Sequence, residues 1–228
     1  EDVPRLLEHP WWKRGAFHIQ ALPSIAVSLV LAPQPGERIL DLCAAPGGKT
    51  AQLAAAGLPV IAVDRSSRRL ARLRDNLRRL ALDAEIVSAD ATSWRPASPC
   101  RAILLDAPCS ATGTIRRHPD IPGNKNPKDI ARLCELQERL IGAAADMLAP
   151  DGVLVYSVCS LQPEEGPAVV EKLLAQRDNL SREKITPSEI GMPADAVTPD
   201  GDFRTFPSHF AEQGSMDGFY AARLRRDG

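Results

Sequence analysis

Short apolar runs that end in a polar or reactive residue recur along this chain, and stretches with helical apolar spacing lie between them. Such alternation points to an α/β domain on a mostly parallel sheet, because consecutive parallel strands need a crossover long enough to hold a helix. Candidate strands cover residues 38–42, 59–64, 84–88, 101–106 and 152–157. Leu70, Leu73, Leu77 and Leu80 fall at three- and four-residue spacing in a helix expected over 66–82. A second helix is expected over 127–148, where Ile130, Leu133, Leu136, Leu140, Ile141 and Ala144 keep the same period before Asp151-Gly152. Residues 218–224 read as a terminal strand that returns antiparallel, and the polar, proline-containing stretch 177–202 as an excursion from the same domain. Residues 1–30, with Trp11, Trp12, Phe17 and His18 and then a helix starting near Pro23-Ser24, read as a segment packing on a core domain of 31–228.

The formal net charge of -1 gives the whole chain no general pull towards nucleic acid, but the charge is uneven. Arg65, Arg68, Arg69, Arg72, Arg74, Arg78 and Arg79 crowd the first helix and read as its solvated face. Arg116, Arg117 and His118 form a second basic cluster. The five cysteines have no Cys-x-x-Cys spacing, so zinc and a disulfide framework are poorly supported. No apolar run has the roughly 18 residues of a membrane helix, and no secretory leader is evident. The expectation is a monomer without metal in a reducing cytoplasm, where free thiols persist.

Asp41-Leu42-Cys43-Ala44-Ala45-Pro46-Gly47-Gly48-Lys49-Thr50 is a strand end, a small-residue turn and a helix start, whose free N–H groups suit a carboxylate or phosphate. A phosphate-loop reading weakens because Cys43 stands where that motif needs glycine. Asp64 ends the next strand, placed to accept from both hydroxyls of a ribose, and Asp90 follows the third, placed for an adenine amino group. These acidic strand ends suit a nucleoside, and the glycines exclude neither NAD nor S-adenosylmethionine. Two strand ends also carry thiols: Cys109 in Asp106-Ala107-Pro108-Cys109-Ser110 and Cys159 in Tyr156-Ser157-Val158-Cys159-Ser160. A cofactor cradle beside two thiols suggests covalent group transfer.

These segments resemble the Sun-type, RsmB-like RNA 5-cytosine methyltransferases. The resemblance rests on the 41–50 loop, both cysteine loops, Gly113-Thr114-Ile115-Arg116-Arg117-His118-Pro119-Asp120, Pro163-Glu164-Glu165 and Asp217-Gly218-Phe219-Tyr220-Ala221-Ala222, in that family's order. Two positions depart from its pattern: Ala21 follows Gln20 where Asp is usual, and Val158 stands where Thr is usual.

The resemblance implies a class I, Rossmann-like fold with helices on both faces of the sheet, S-adenosylmethionine as cofactor, and methylation of C5 of a cytidine in RNA. Small-subunit ribosomal RNA is the favoured substrate, with transfer RNA or a catalytically impaired RNA-binding relative as alternatives. Carbon 5 is a poor nucleophile until a thiolate adds to C6, so one cysteine must attack. By residues alone, the Pro108-Cys109 thiol could be that attacker. The resemblance instead implies Cys159 as attacker, Cys109 as the thiol that helps resolve the adduct, Asp106 on the cytosine edge and Lys49 beside them. It places the cofactor against Cys43, Ala44, Ala45, Pro46, Gly47, Gly48, Lys49, Asp64, Arg65, Asp90, Ala91 and Asp106. The RNA is expected on Pro108, Arg116, Arg117 and His118, with Trp11 and Trp12 packing the N-terminal segment. Cys43, Cys100 and Cys134 read as core, and His9, His18 and His209 as structural.

Overall fold

The computed structural model describes residues 3–228, so positions 1 and 2 of the expected N-terminal segment lie outside the described residues. One sheet holds β1 (Ile39–Leu42), β2 (Val60–Asp64), β3 (Glu85–Ser88), β4 (Cys100–Asp106), β5 (Leu148–Val158), β6 (Leu180–Arg182), β7 (Phe203–Thr205) and β8 (Phe219–Arg226). Around it lie helices α1 (Val3–Glu8), α2 (Pro10–Lys13), α3 (Leu22–Val30), α4 (Gly48–Ala55), α5 (Ser67–Leu80), α6 (Ile121–Asn124), α7 (Pro127–Met147), α8 (Pro167–Leu174) and α9 (Pro187–Ile190).

The strand order is β3-β2-β1-β4-β5-β8-β6, with β7 also paired to β8. Strands β1 to β5 are mutually parallel and β8 runs antiparallel to β5, as the alternation predicted. The chain winds outward from β1 to β3 and then returns to lay β4 on the other side of β1. Order therefore reverses between β1 and β4, and the crevice beyond their carboxyl ends is where such sheets bind ligands.

Strands β1 and β2 are buried at every position because helices cover both sheet faces. On one face Leu40, Leu42, Ile103 and Leu105 pack with Leu140, Ile141 and Ala144 of α7 and Val169, Val170 and Leu173 of α8. On the other, Ile39, Ala102, Leu104 and Val155 pack with Ala26, Val27 and Val30 of α3. The leucine stripe of α5 buries Leu70, Leu73 and Leu77 against Ala44, Ala45 and Ala62.

The two long helices match their expected spans to within two residues, and their ends have local causes. Ser66 caps α5 by accepting from the Arg69 N–H at 3.3 Å, and Ala81 stops it in the left-handed conformation. Asn126 and Asp129 close a capping box on α7. Helix α8 had no counterpart in the sequence reading, and the expected excursion supplies β6 to the sheet. The buried Arg223 of β8 anchors that excursion, donating to the Lys184 carbonyl at 2.7 Å and to Glu189 at 3.1 Å, and also to the Val30 carbonyl at 3.2 Å.

The arginine face of α5 is not wholly solvated. Arg79 turns back to hold the N-terminal segment, donating to the Trp12 and Phe17 carbonyls at 3.0 and 3.1 Å with its guanidinium 3.7 Å from the Trp12 ring centroid. Trp11 stays exposed.

Ala21 is the N-cap of α3 and offers it no side-chain acceptor, so Ala21→Asp should stabilise the fold by about 1 kcal/mol. A thermal melt should record this as a rise of about 2–4 °C. Replacing Arg79 with Ala should release the arm, so that trypsin cuts at Lys13 and Arg14 about tenfold faster, the order expected from losing charged hydrogen bonds.

Candidate active site

The loop joining β1 to α4 turns through two left-handed residues, Cys43 (φ 60°) and Gly47 (φ 98°). A Cβ on Gly47 would stand 2.7 Å from Leu73 Cγ, so close packing as well as backbone conformation demands glycine there. Beneath the loop Asp41 is fully buried. Its Oδ2 accepts the Thr50 hydroxyl at 2.5 Å, and its Oδ1 has no partner among the described residues. Burial, opposed by Thr50 and Lys49, pushes the Asp41 carboxyl up to about 7.

Lys49, the second residue of α4, points back across the crevice to Asp106 at the end of β4. Its Nζ lies 2.7 Å from Asp106 Oδ2, donates to Ser24 Oγ at 3.0 Å and sits 5.5 Å from the Phe219 ring centroid. Parallel register pairs Asp106 with Ser157, and the Ser157 hydroxyl donates to Asp106 Oδ1 at 3.0 Å. Both carboxylate oxygens are thus engaged by neighbours fixed in strand or helix.

The two thiols meet although 50 residues separate them, with Cys109 Sγ 3.4 Å from Cys159 Sγ. The hydrogen bond with Cys159 and then burial hold the Cys109 thiol well above the usual cysteine range. They differ in what they face. Cys159 lines a cavity of about 350 Å³ together with Asp41, Ala44, Ala45, Pro46, Gly48, Lys49, Asp106 and Arg117. Cys109 is not part of that wall.

Cys43, Asp64, Arg65, Asp90, Ala91 and Pro108 line a separate slot of only about 30 Å³. Pro108, expected with the RNA contacts, therefore belongs to the side of the site that holds Asp64 and Asp90. Asp64 accepts from Ser66 N at 2.8 Å and Ala45 N at 3.2 Å and pairs with Arg69 at 3.3 Å. Arg69 also bonds the Ala45 carbonyl, so it too leaves the expected solvated face. Asp90 is exposed and accepts from both Thr92 N and Oγ1, which holds its carboxyl below the usual range.

Arg116, Arg117 and His118 are exposed. Arg117 is nevertheless tied to the buried Asp217, its Nε 3.0 Å from Oδ2, which raises its affinity for its proton and fixes its direction. Arg116 and His118 line neither cavity. Among the other cysteines Cys100 is buried as expected. Cys43 is partly exposed and, chiefly through burial of its sulfur, is pushed up to about 12. Cys134 is also only partly buried, its sulfur 3.4 Å from the Glu164 carbonyl between α7 and α8, which corrects its assignment to the core.

Sequence reasoning missed His18, Gln20, Ser24 and Phe219, all in the wall of the larger cavity. Local signals were the aromatic of Gly218-Phe219, as part of a recognised segment, and the Gln20-Ala21 departure from the family pattern. Among the described residues no group of three or more His, Cys, Asp or Glu could hold a metal ion, and no helix is long and apolar enough to cross a membrane.

Residues 28–225 match the family model described as 16S rRNA methyltransferase RsmB/F. Ribosomal RNA small subunit methyltransferase B from Pseudomonas syringae pv. tomato is 42% identical over 222 residues, covering 94% of this chain and 48% of that protein. Its namesake from Pseudomonas putida is 44% identical over 221 residues, with the same coverage of 94% and 48%. The chain thus spans about half the length of the curated relatives it matches. Among solved structures, NSun6 from Pyrococcus horikoshii with SFG superposes at a TM-score of 0.82 and 31% identity, over 97% of this chain and 56% of that one. An rRNA methylase from Streptococcus thermophilus, 14% identical at a TM-score of 0.55, shares the Rossmann-like fold alone. With the family model matched from α3 to β8, the chain belongs to the 16S rRNA methyltransferase RsmB/F family.

Proposed function

We propose that this chain is the catalytic portion of an enzyme that moves a methyl group from S-adenosylmethionine to C5 of a cytidine in small-subunit ribosomal RNA. The observation that carries this reading is the shared cavity: Cys159 stands in one wall with the 41–50 loop, Lys49 and Asp106. The relatives' names point to the same substrate. A ribosomal RNA substrate is cytoplasmic, which agrees with thiols left free.

The residues present fit the cofactor. The unpartnered Asp41 Oδ1 is a buried acceptor suited to a cationic end, and the α4 N-terminus behind Gly47 suits a carboxylate. Asp64 and Asp90 flank the slot suited to the nucleoside, where Arg69 must swing aside to admit a purine. When bound, the cofactor supplies an electrophilic methyl group.

Cys159 is the thiol with access to a flipped base, and adds through its sulfur to ring carbon C6. Asp106, held by Lys49 and Ser157, is placed to bond the cytosine N3/N4 edge and stabilise charge developing in the ring. Cys109 stays beside the adduct as the thiol that helps release it, as a base takes the C5 proton and the C6–S bond breaks to return Cys159 as a thiolate. Exposed Arg116 and His118, with Arg117 braced by Asp217, supply phosphate contacts around the target.

Transfer of labelled methyl from S-adenosylmethionine to total RNA of a methylase-deficient cell should place label at C5 of a small-subunit rRNA cytidine. Label in adenine, or in protein alone, would overturn the reading. Cys159→Ala should lower transfer on the order of 10⁴-fold or more and form no RNA adduct on a denaturing gel, whereas Cys109→Ala should accumulate one. The reverse pattern would exchange the two roles.

Asp41 gives a pH test that needs no RNA. Its folded pKa of about 7 exceeds the unfolded value of about 3.9. Its contribution to stability is therefore complete below pH ~4 and is lost as pH rises through about 7. Asp41→Asn should melt increasingly above the wild type between pH 5 and pH 8, while its affinity for S-adenosylmethionine falls in calorimetry.

A further inference from the structure

Glu165 is wholly buried in the loop after β5, and it stands between the residues that follow the two thiols. Its Oε1 accepts from Ser110 N at 2.8 Å and from Gln137 Nε2 at 3.1 Å. Its Oε2 accepts the hydroxyls of Ser110 and Ser160, each at 2.5 Å. Ser110 directly follows Cys109, and Ser160 directly follows Cys159.

A buried carboxylate is costly unless its oxygens are fully hydrogen-bonded. Here four donors meet two oxygens, which suits an ionised, acceptor-only group. No cation approaches within ion-pairing distance among the described residues, so the carboxylate is held by neutral donors alone. Three further bonds fix the clamp. The Tyr156 hydroxyl donates to the Glu165 carbonyl at 2.6 Å, Gln137 Nε2 reaches the Pro108 carbonyl at 2.8 Å, and Thr112 Oγ1 accepts from Leu161 N at 2.9 Å. Thr112 thereby joins the same two loops, its hydroxyl 3.1 Å from Ser160 Oγ and 3.3 Å from Ser110 Oγ.

We propose that Glu165 is a positioning residue that sets the register of the two cysteine loops and so keeps the Cys109 and Cys159 sulfurs 3.4 Å apart. The proposal rests on the two-thiol reading above. One sulfur adds to the ring and the other helps to release it, so both must address neighbouring atoms of one base. A displacement of 1 Å in such an arrangement costs roughly a hundredfold in rate. Glu165 touches neither sulfur. It acts through the serine next to each.

Glutamine separates geometry from charge. Its carbonyl can still accept from Ser110 N and Gln137, and its amide can donate to the two serine hydroxyls once these rotate. Glu165→Gln should therefore keep the register, and Glu165→Ala should lose it. Ser160→Ala removes the Glu165 bond to the Cys159 loop together with the Ser160 contacts to Ser110, Thr112 and Gln162 N, and leaves the Glu165 bonds to Ser110 and Gln137 and the Leu161–Thr112 bond in place, so it serves if Glu165→Ala does not fold.

The test oxidises the reduced full chain with diamide and follows the Cys109–Cys159 disulfide by thiol labelling and peptide mapping. Two thiols lose two protons and two electrons to the diazene N=N bond, which becomes the hydrazine. Wild type and Glu165→Gln should cross-link at rates within about threefold of each other, and Glu165→Ala and Ser160→Ala about tenfold more slowly. In methyl transfer the slow variants should lose kcat by roughly 10–100-fold and keep the KM for S-adenosylmethionine. Cross-linking at the wild-type rate in folded Glu165→Ala or Ser160→Ala would overturn the proposal, as would a Glu165→Gln variant as slow as Glu165→Ala. Cross-linking needs neither cofactor nor RNA, so a wild type that transfers no methyl group would remove the methyltransferase reading and leave this assay to decide the clamp.

Discussion

Parallel pairing of β1 with β4 at the centre of the sheet is the constraint on which the rest depends. The register Leu42 to Leu105 brings the 41–50 loop and the Asp106 to Cys109 turn to one edge, although the chain makes two excursions between them. Pairing of β4 with β5 then sets Ser157 beside Asp106 and delivers Cys159 two residues later. The 41–50 loop, Asp106 and Cys159 all take their places from these two registers. A one-residue slip in either would turn the side chains at the strand ends to the opposite face.

Four carboxylates gather at this edge, and the protein accommodates each differently. Asp106 is matched by Lys49, and Asp64 by Arg69 and backbone N–H groups. Glu165 is surrounded by neutral donors, and Asp41 keeps an oxygen without a donor among the described residues. Burial pushes the Asp41 carboxyl up to about 7. Charge at the edge is thereby graded from compensated groups that orient the site to an uncompensated one suited to a cation.

Much of the fold was legible because its signals are local. Strand runs bounded by turn residues, the leucine period of α5 and the apolar period of α7 each fix an element within about one turn of chain. Helix α8 escaped notice because the eight residues Pro167–Leu174 show too few periods to separate a helix from a buried strand. Strands β6 and β7, three residues each, carry no pattern of their own and form only because β8 offers them backbone partners. Within the site, the loop chemistry of 41–50 and the thiol pair were visible as residue types. The roles of Arg69, Arg79 and Arg117 were not, since a basic side chain on a helix or loop gives no sign of whether it will meet water, an aspartate or a tryptophan.

The sequence by itself determined the alternating α/β architecture, the glycine turn ahead of α4, the acidic strand ends and the presence of two thiols at strand ends. These follow from periodicity and turn conformation, which act over a few residues. Only the tertiary structure decided that Cys159 faces the larger cavity while Cys109 lies outside its wall, that Pro108 belongs with Asp64 and Asp90, and that Glu165 ties the thiol loops together. Those outcomes depend on contacts such as Cys109 with Cys159 and Glu165 with Ser110 and Gln137, 28 to 55 positions apart, and on which atoms are left without water, and neither quantity is written in any local stretch of chain.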